Sequence, residues 1–126
     1  MFSDQSFGRD CIGLLRRVLE QRGVGGFAYC LMPDHAHALV DTSQEAPLSG
    51  PVQAWKSLCY RAWRARGRSE AFWQRSFYDH ALCDGEDVIH AARYILWNPV
   101  RAGLVASPHD YPLSGSFVYD FDTLTR

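Results

Sequence analysis

Phe27-Ala28-Tyr29-Cys30-Leu31-Met32-Pro33-Asp34-His35-Ala36-His37-Ala38-Leu39-Val40 is the stretch that decides how this chain folds. The apolar run from Gly25 or Gly26 to Met32 reads as a strand, Pro33-Asp34 as a turn, and His35 to Val40 as a second strand returning antiparallel. Side chains on a strand alternate between faces, so His35 and His37 fall on one side and Ala36 and Ala38 on the other. Two imidazoles on one face can converge on a single metal ion. Further along stands Tyr94-Ile95-Leu96-Trp97-Asn98-Pro99-Val100-Arg101-Ala102-Gly103-Leu104. If this stretch is helical, Tyr94 and Asn98 are neighbours one turn apart. Two imidazoles, an amide oxygen and a phenol are together the parts needed to break a phosphodiester bond with a metal and a tyrosine nucleophile.

Outward from the hairpin, Gly8 to Arg22 reads as an amphipathic helix, with Cys11, Leu14, Leu15, Val18 and Leu19 as its apolar stripe and Gly23 as its stop. Thr42 to Gly50 reads as a polar loop. Ser49-Gly50-Pro51 then offers a cap and an early proline for a helix from Pro51 to Arg66, whose buried stripe is Val52, Trp55, Leu58, Cys59 and Ala62. Ser76 to Leu82 reads as a bent third strand. Asp84 caps a further helix carrying Val88, Ile89, Ala92, Ile95 and Leu96, which must break near Asn98 because Pro99 lacks an amide hydrogen. One more turn and an irregular tail follow. The order helix, strand, strand, helix, strand, helix predicts an α+β fold, an antiparallel sheet with helices packed on it.

The 126 residues fit one domain, 1–126. The apolar fraction of 47% and charged fraction of 21% exclude a disordered chain. No apolar run reaches the length of a membrane span, and the first residues lack the pattern of a signal peptide, so the expected location is the cytosol, away from membranes. Cys11, Cys30, Cys59 and Cys83 are too scattered for a zinc site or a disulfide framework and read as reduced, mostly buried thiols.

The formal net charge is -1, but the charge is unevenly spread. Lys56, Arg61, Arg64, Arg66, Arg68 and Arg75 face a single acid, Glu70, between Pro51 and Ser76. Such a strip can track a phosphate backbone despite a neutral total, and Trp63, Trp73 or Phe77 could stack on unpaired bases. The alternative for each is a solvated helix face with aromatics in the core.

Four blocks in order resemble one family, the REP-associated tyrosine transposases within the single-tyrosine HUH transposases of insertion sequences. They are Tyr29 to His37, Phe72-Trp73-Gln74-Arg75-Ser76-Phe77-Tyr78-Asp79-His80, Tyr94 to Val105, and Tyr111-Pro112-Leu113-Ser114-Gly115-Ser116. The resemblance runs from about Phe2 to Tyr119. It implies a ferredoxin-like HUH nuclease fold and a divalent cation, Mg2+ or Mn2+, held by His35, His37 and Asn98. Tyr94 would be the nucleophile, and the partner single-stranded or hairpin DNA. Lys56, Arg61, Arg64, Arg66, Arg68, Arg75 and Trp73 would be its contacts. In the family a strand precedes the opening helix, whereas Met1-Phe2 starts roughly where that strand would end. A start lying outside this chain, a second copy filling the gap as a homodimer, and a catalytically decayed DNA-binding module all remain open.

The resemblance thus implies a metal-dependent endonuclease and strand transferase acting at hairpin palindromes through a 5'-phosphotyrosine. His90, one turn from Tyr94, is a candidate base whose plainer reading is solvent contact. Asp79 and His80 lie in a resembling block, and His109 sits in an exposed loop. A small metallo-hydrolase using the same histidines is disfavoured by the basic strip and by the lack of a glycine-rich phosphate loop.

Overall fold

Asp4 starts the first helix: its carboxylate accepts from the Phe7 N–H at 3.2 Å, so α1 runs Gln5–Arg22 and opens earlier than the apolar periodicity predicts. Gly23 ends it in the left-handed conformation, φ 65°, where a side chain would be strained. The computed structural model describes residues 4–33, 35–41, 49–68, 77–80 and 85–126. Expectations resting on Asp34, on the loop 42–48, on Trp73 and Arg75, on Cys83 and on Asp84 lie outside the described residues, as do the side chains of Val52, Phe77, Asp79 and His80.

The hairpin forms as its alternation predicts. Strand β1, Gly26–Leu31, pairs antiparallel with β2, Ala36–Val40, placing Cys30 opposite His37 and Leu31 opposite Ala36. His35 sits just ahead of β2 rather than in it. Helix α2, Ser49–Ala65, follows, then strand β3, Phe77–His80, and helix α3, Gly85–Leu96. The break at Pro99 is real: α3 stops at Leu96, Trp97 is a turn, and a short helix α4, Asn98–Arg101, continues beyond it.

The tail is not irregular. A 3-10 turn at Pro108–Asp110 leads into strand β4, Ser114–Gly115, which adds antiparallel to β1, and the chain closes with helix α5, Phe121–Thr125. Two residues of strand are too few to show alternation, which is why β4 escapes a sequence reading. The sheet order is β3-β2-β1-β4. Strands β2 and β4 each pair antiparallel with the central β1, while β3 lies parallel at the β2 edge. The architecture is α+β and consistent with a partial HUH-type fold.

Each face of the sheet has its own core. On one side Leu31, Ala36, Ala38 and Val40 pack with Phe7, Cys11, Leu15, Trp55, Cys59 and Trp63 of α1 and α2. On the other, Ala28, Cys30 and Leu39 pack with Val88, Ala92, Ile95 and Leu96 of α3 and Leu124 of α5. Gly8 allows the close approach of the tail, since a Cβ there would lie 2.6 Å from a Leu113 methyl. The Tyr111 hydroxyl donates to the Leu31 carbonyl at 2.5 Å and ties the same tail to the end of β1.

Candidate active site

Strand parity settles which side the imidazoles take. Ala36 and Ala38 belong to the α1/α2 core and Leu39 to the α3 core, so His37, between the two alanines, projects toward the α3 side. The His35 ring joins it there, edge to face, with centroids 4.9 Å apart. Both residues are half-buried. Two imidazoles bound cis to one ion through nitrogens about 2.1 Å away would set their centroids roughly 4.5–5.3 Å apart, and the observed pair fits that range. Among the described residues no three of His, Cys, Asp and Glu gather in one place. The fit to a cation therefore rests on this pair of rings.

Tyr94 lies on α3, whose buried stripe of Val88, Ala92, Ile95 and Leu96 covers the same sheet face as the imidazoles. Its own ring is on the outer flank, 65% exposed. The Arg101 guanidinium lies over that ring at 3.8 Å from the centroid, and its Nη2 donates to the Tyr94 main-chain carbonyl. Asn98 begins α4 and is half-buried. The structure brings the two imidazoles together and Tyr94 against Arg101. Neither Tyr94 nor Asn98 hydrogen-bonds to the histidines among the described residues. His90 is exposed one turn before Tyr94.

Cys30 connects the two halves of this region. Burial pushes its thiol up to about 12, and the positive charge of Arg101 pulls against that rise. Cys30 is also the cross-strand neighbour of His37. Arg101 carries no role among the expectations drawn from sequence. Its spacing of seven from Tyr94, two turns along one flank of a helix, is the signal that could have found it.

The basic strip divides. Lys56, Tyr60 and Arg61 line a shallow groove on α2 together with Gln53 and Ser57, and Arg64 Nη1 donates to the Tyr60 hydroxyl at 3.2 Å. Arg66 turns instead to α1: its guanidinium meets the Asp10 carboxylate at 2.5 Å and Asp4 at 3.6 Å, and lies over the Phe7 ring. Arg68 lies over Trp63. Trp63 is 5% exposed and packs against Phe7 with centroids 4.9 Å apart. It is a core residue and offers no platform for a base. Its spacing from Trp55 and Cys59 places it on the buried stripe of α2.

Cys11, Cys30 and Cys59 are free and buried, as expected. His109 is exposed and lies 3.3 Å from Asp122. No helix among the described residues is long and apolar enough to cross a membrane.

Comparison with known proteins places this α+β domain in a class, the transposases. The chain belongs to the IS200-like transposase family, whose model matches residues 1–97. It is 30% identical over 98 residues to a Haemophilus influenzae protein provisionally named a REP-associated tyrosine transposase, an alignment covering 69% of this chain and 56% of that one. It is 28% identical over 88 residues to the REP-associated tyrosine transposase of Escherichia coli, covering 69% of this chain and 51% of the relative. The chain thus spans about half the length of the curated relatives it matches. No solved structure matches it significantly.

Proposed function

We propose that this chain is a metal-dependent single-stranded DNA endonuclease and strand transferase acting at hairpin-forming palindromes, in the cytoplasm, with Tyr94 as its nucleophile. The observation that carries the reading is the His35–His37 pair, spaced for a shared cation on the sheet face that α3 covers. Membership of the transposase family supports it.

His35 and His37, with the amide oxygen of Asn98 as third donor, are the residues that would hold magnesium or manganese. That cation supplies polarisation of a non-bridging phosphate oxygen. The Tyr94 oxygen attacks phosphorus, forming a bond to it while the bond from phosphorus to the 3'-oxygen breaks. The phenolic proton ends, through solvent, on the released 3'-hydroxyl. The enzyme retains the 5'-phosphate as a phosphotyrosine ester. Attack by a new 3'-hydroxyl reverses the exchange and frees Tyr94, so the energy of the diester is conserved without a nucleotide cofactor. The α2 groove of Lys56, Tyr60 and Arg61 contributes charge and one aromatic face for the unpaired strand.

The test is a denaturing-gel assay for a covalent adduct between the full chain and single-stranded oligonucleotides that carry a fixed stem-loop and randomised flanks, in manganese. Wild type is expected to form the adduct and Tyr94→Phe to lose it. An adduct that persists in Tyr94→Phe removes Tyr94 from the chemistry. Salt-sensitive hairpin binding with no adduct at any manganese concentration supports a non-catalytic DNA-binding module instead.

A further inference from the structure

Arg101 meets Tyr94 twice, through the face of its ring and through its main-chain carbonyl. The geometry follows from the local sequence. Side chains on a helix lean toward its N-terminus, and a residue seven positions on returns to the same flank two turns later. Pro99 interrupts the helix between the two residues, and the last helical position of α4 turns the guanidinium back over the phenol. Both residues are exposed. An exposed aromatic side chain with no such clamp changes rotamer on the picosecond to nanosecond scale. Attack on phosphorus requires the oxygen in line with the leaving group, so a fixed ring removes orientational freedom that the reaction otherwise has to freeze.

We propose that Arg101 is the positioning residue of the strand-transfer site, seating the Tyr94 ring for attack on a DNA phosphate. The inference rests on the reading of Tyr94 as nucleophile given above. Arginine suits the task because one planar guanidinium can stack on a ring and donate to a carbonyl at the same time, while lysine offers a point charge without the plane.

The experiment compares wild type with Arg101→Ala and Arg101→Lys in the full chain, using the stem-loop oligonucleotides above. Single-turnover adduct formation is measured at saturating DNA, and affinity separately by fluorescence anisotropy. Both variants are expected to slow the adduct by about tenfold to a hundredfold, with affinity changed by less than about threefold, the split of a group that acts on the chemical step. In protein labelled with 3-fluorotyrosine, the Tyr94 resonance, assigned by its loss in Tyr94→Phe, is expected to move toward the free amino acid in Arg101→Ala. An unchanged rate or an unmoved resonance in Arg101→Ala overturns the proposal. So does an effect confined to affinity and restored by lysine, which marks a plain phosphate contact. Absence of any wild-type adduct sinks the nucleophile reading and this inference with it, whereas failure of the inference alone leaves the wild-type adduct intact.

Discussion

The indole N–H of Trp55 donates to the main-chain carbonyl of Cys11 at 2.8 Å, across the buried seam between α2 and α1. Trp55 is fully buried, so the bond is made where water cannot replace it. Trp55→Phe keeps an aromatic ring but removes the donor, and is expected to lower the unfolding free energy by about 1–3 kcal/mol. Urea denaturation followed by circular dichroism checks the value.

The division of the basic strip predicts unequal contributions to DNA binding. Arg61 lines the α2 groove, whereas Arg66 is already neutralised by Asp10 and Asp4. Arg61→Ala is expected to reduce the salt dependence of oligonucleotide binding by about one unit of slope, and Arg66→Ala to leave it nearly unchanged while loosening the α1–α2 seam. Anisotropy titrations across a salt series measure both. Equal slopes for the two variants would contradict the division.

Manganese binding should depend on each imidazole and not on the phenol. His35→Ala and His37→Ala are each expected to weaken manganese binding by at least about tenfold, as loss of a ligand exceeds the effect of losing a group that only supports one. Tyr94→Phe is expected to bind manganese as wild type does. Isothermal titration calorimetry with manganese alone, without DNA, separates the two outcomes.

Cys30 predicts an alkaline loss of stability. Its thiol is raised from 9.0 to about 12 by burial against the opposing charge of Arg101. Between those values the unfolded chain has released the proton that the folded chain keeps, so the folded state binds more protons and stability falls as pH rises. The slope for one such group is about 1.4 kcal/mol per pH unit. Tyr111, also raised to about 12, chiefly by burial, adds to it. Cys30→Ala is expected to flatten the decline of stability above pH 9, read from denaturation midpoints in a pH series.

How far the sequence spoke depends on the range of each interaction. The hairpin and its paired imidazoles were legible because alternation is local, and the end of α3 because Pro99 has no amide hydrogen. The stripes of α1 and α2 were legible from helical spacing, whereas Trp63, expected as a candidate for stacking on bases, lies in the core. What escaped depends on partners distant in the chain. Arg66 looked like one more cation in a strip until α1 brought Asp10 to it. The two residues of β4 acquire meaning only beside β1. The Tyr94–Arg101 contact lies between these extremes, since its spacing is local but the turn of the guanidinium back over the ring follows a helix break.

The α2 groove and the imidazoles belong to opposite layers, with the sheet between them. A straight, stiff duplex laid along α2 cannot reach His35 and His37. Any polymer that touches both must curl around the rim of the sheet, which favours an unpaired strand or the base of a stem over continuous double helix, whatever sequence it carries.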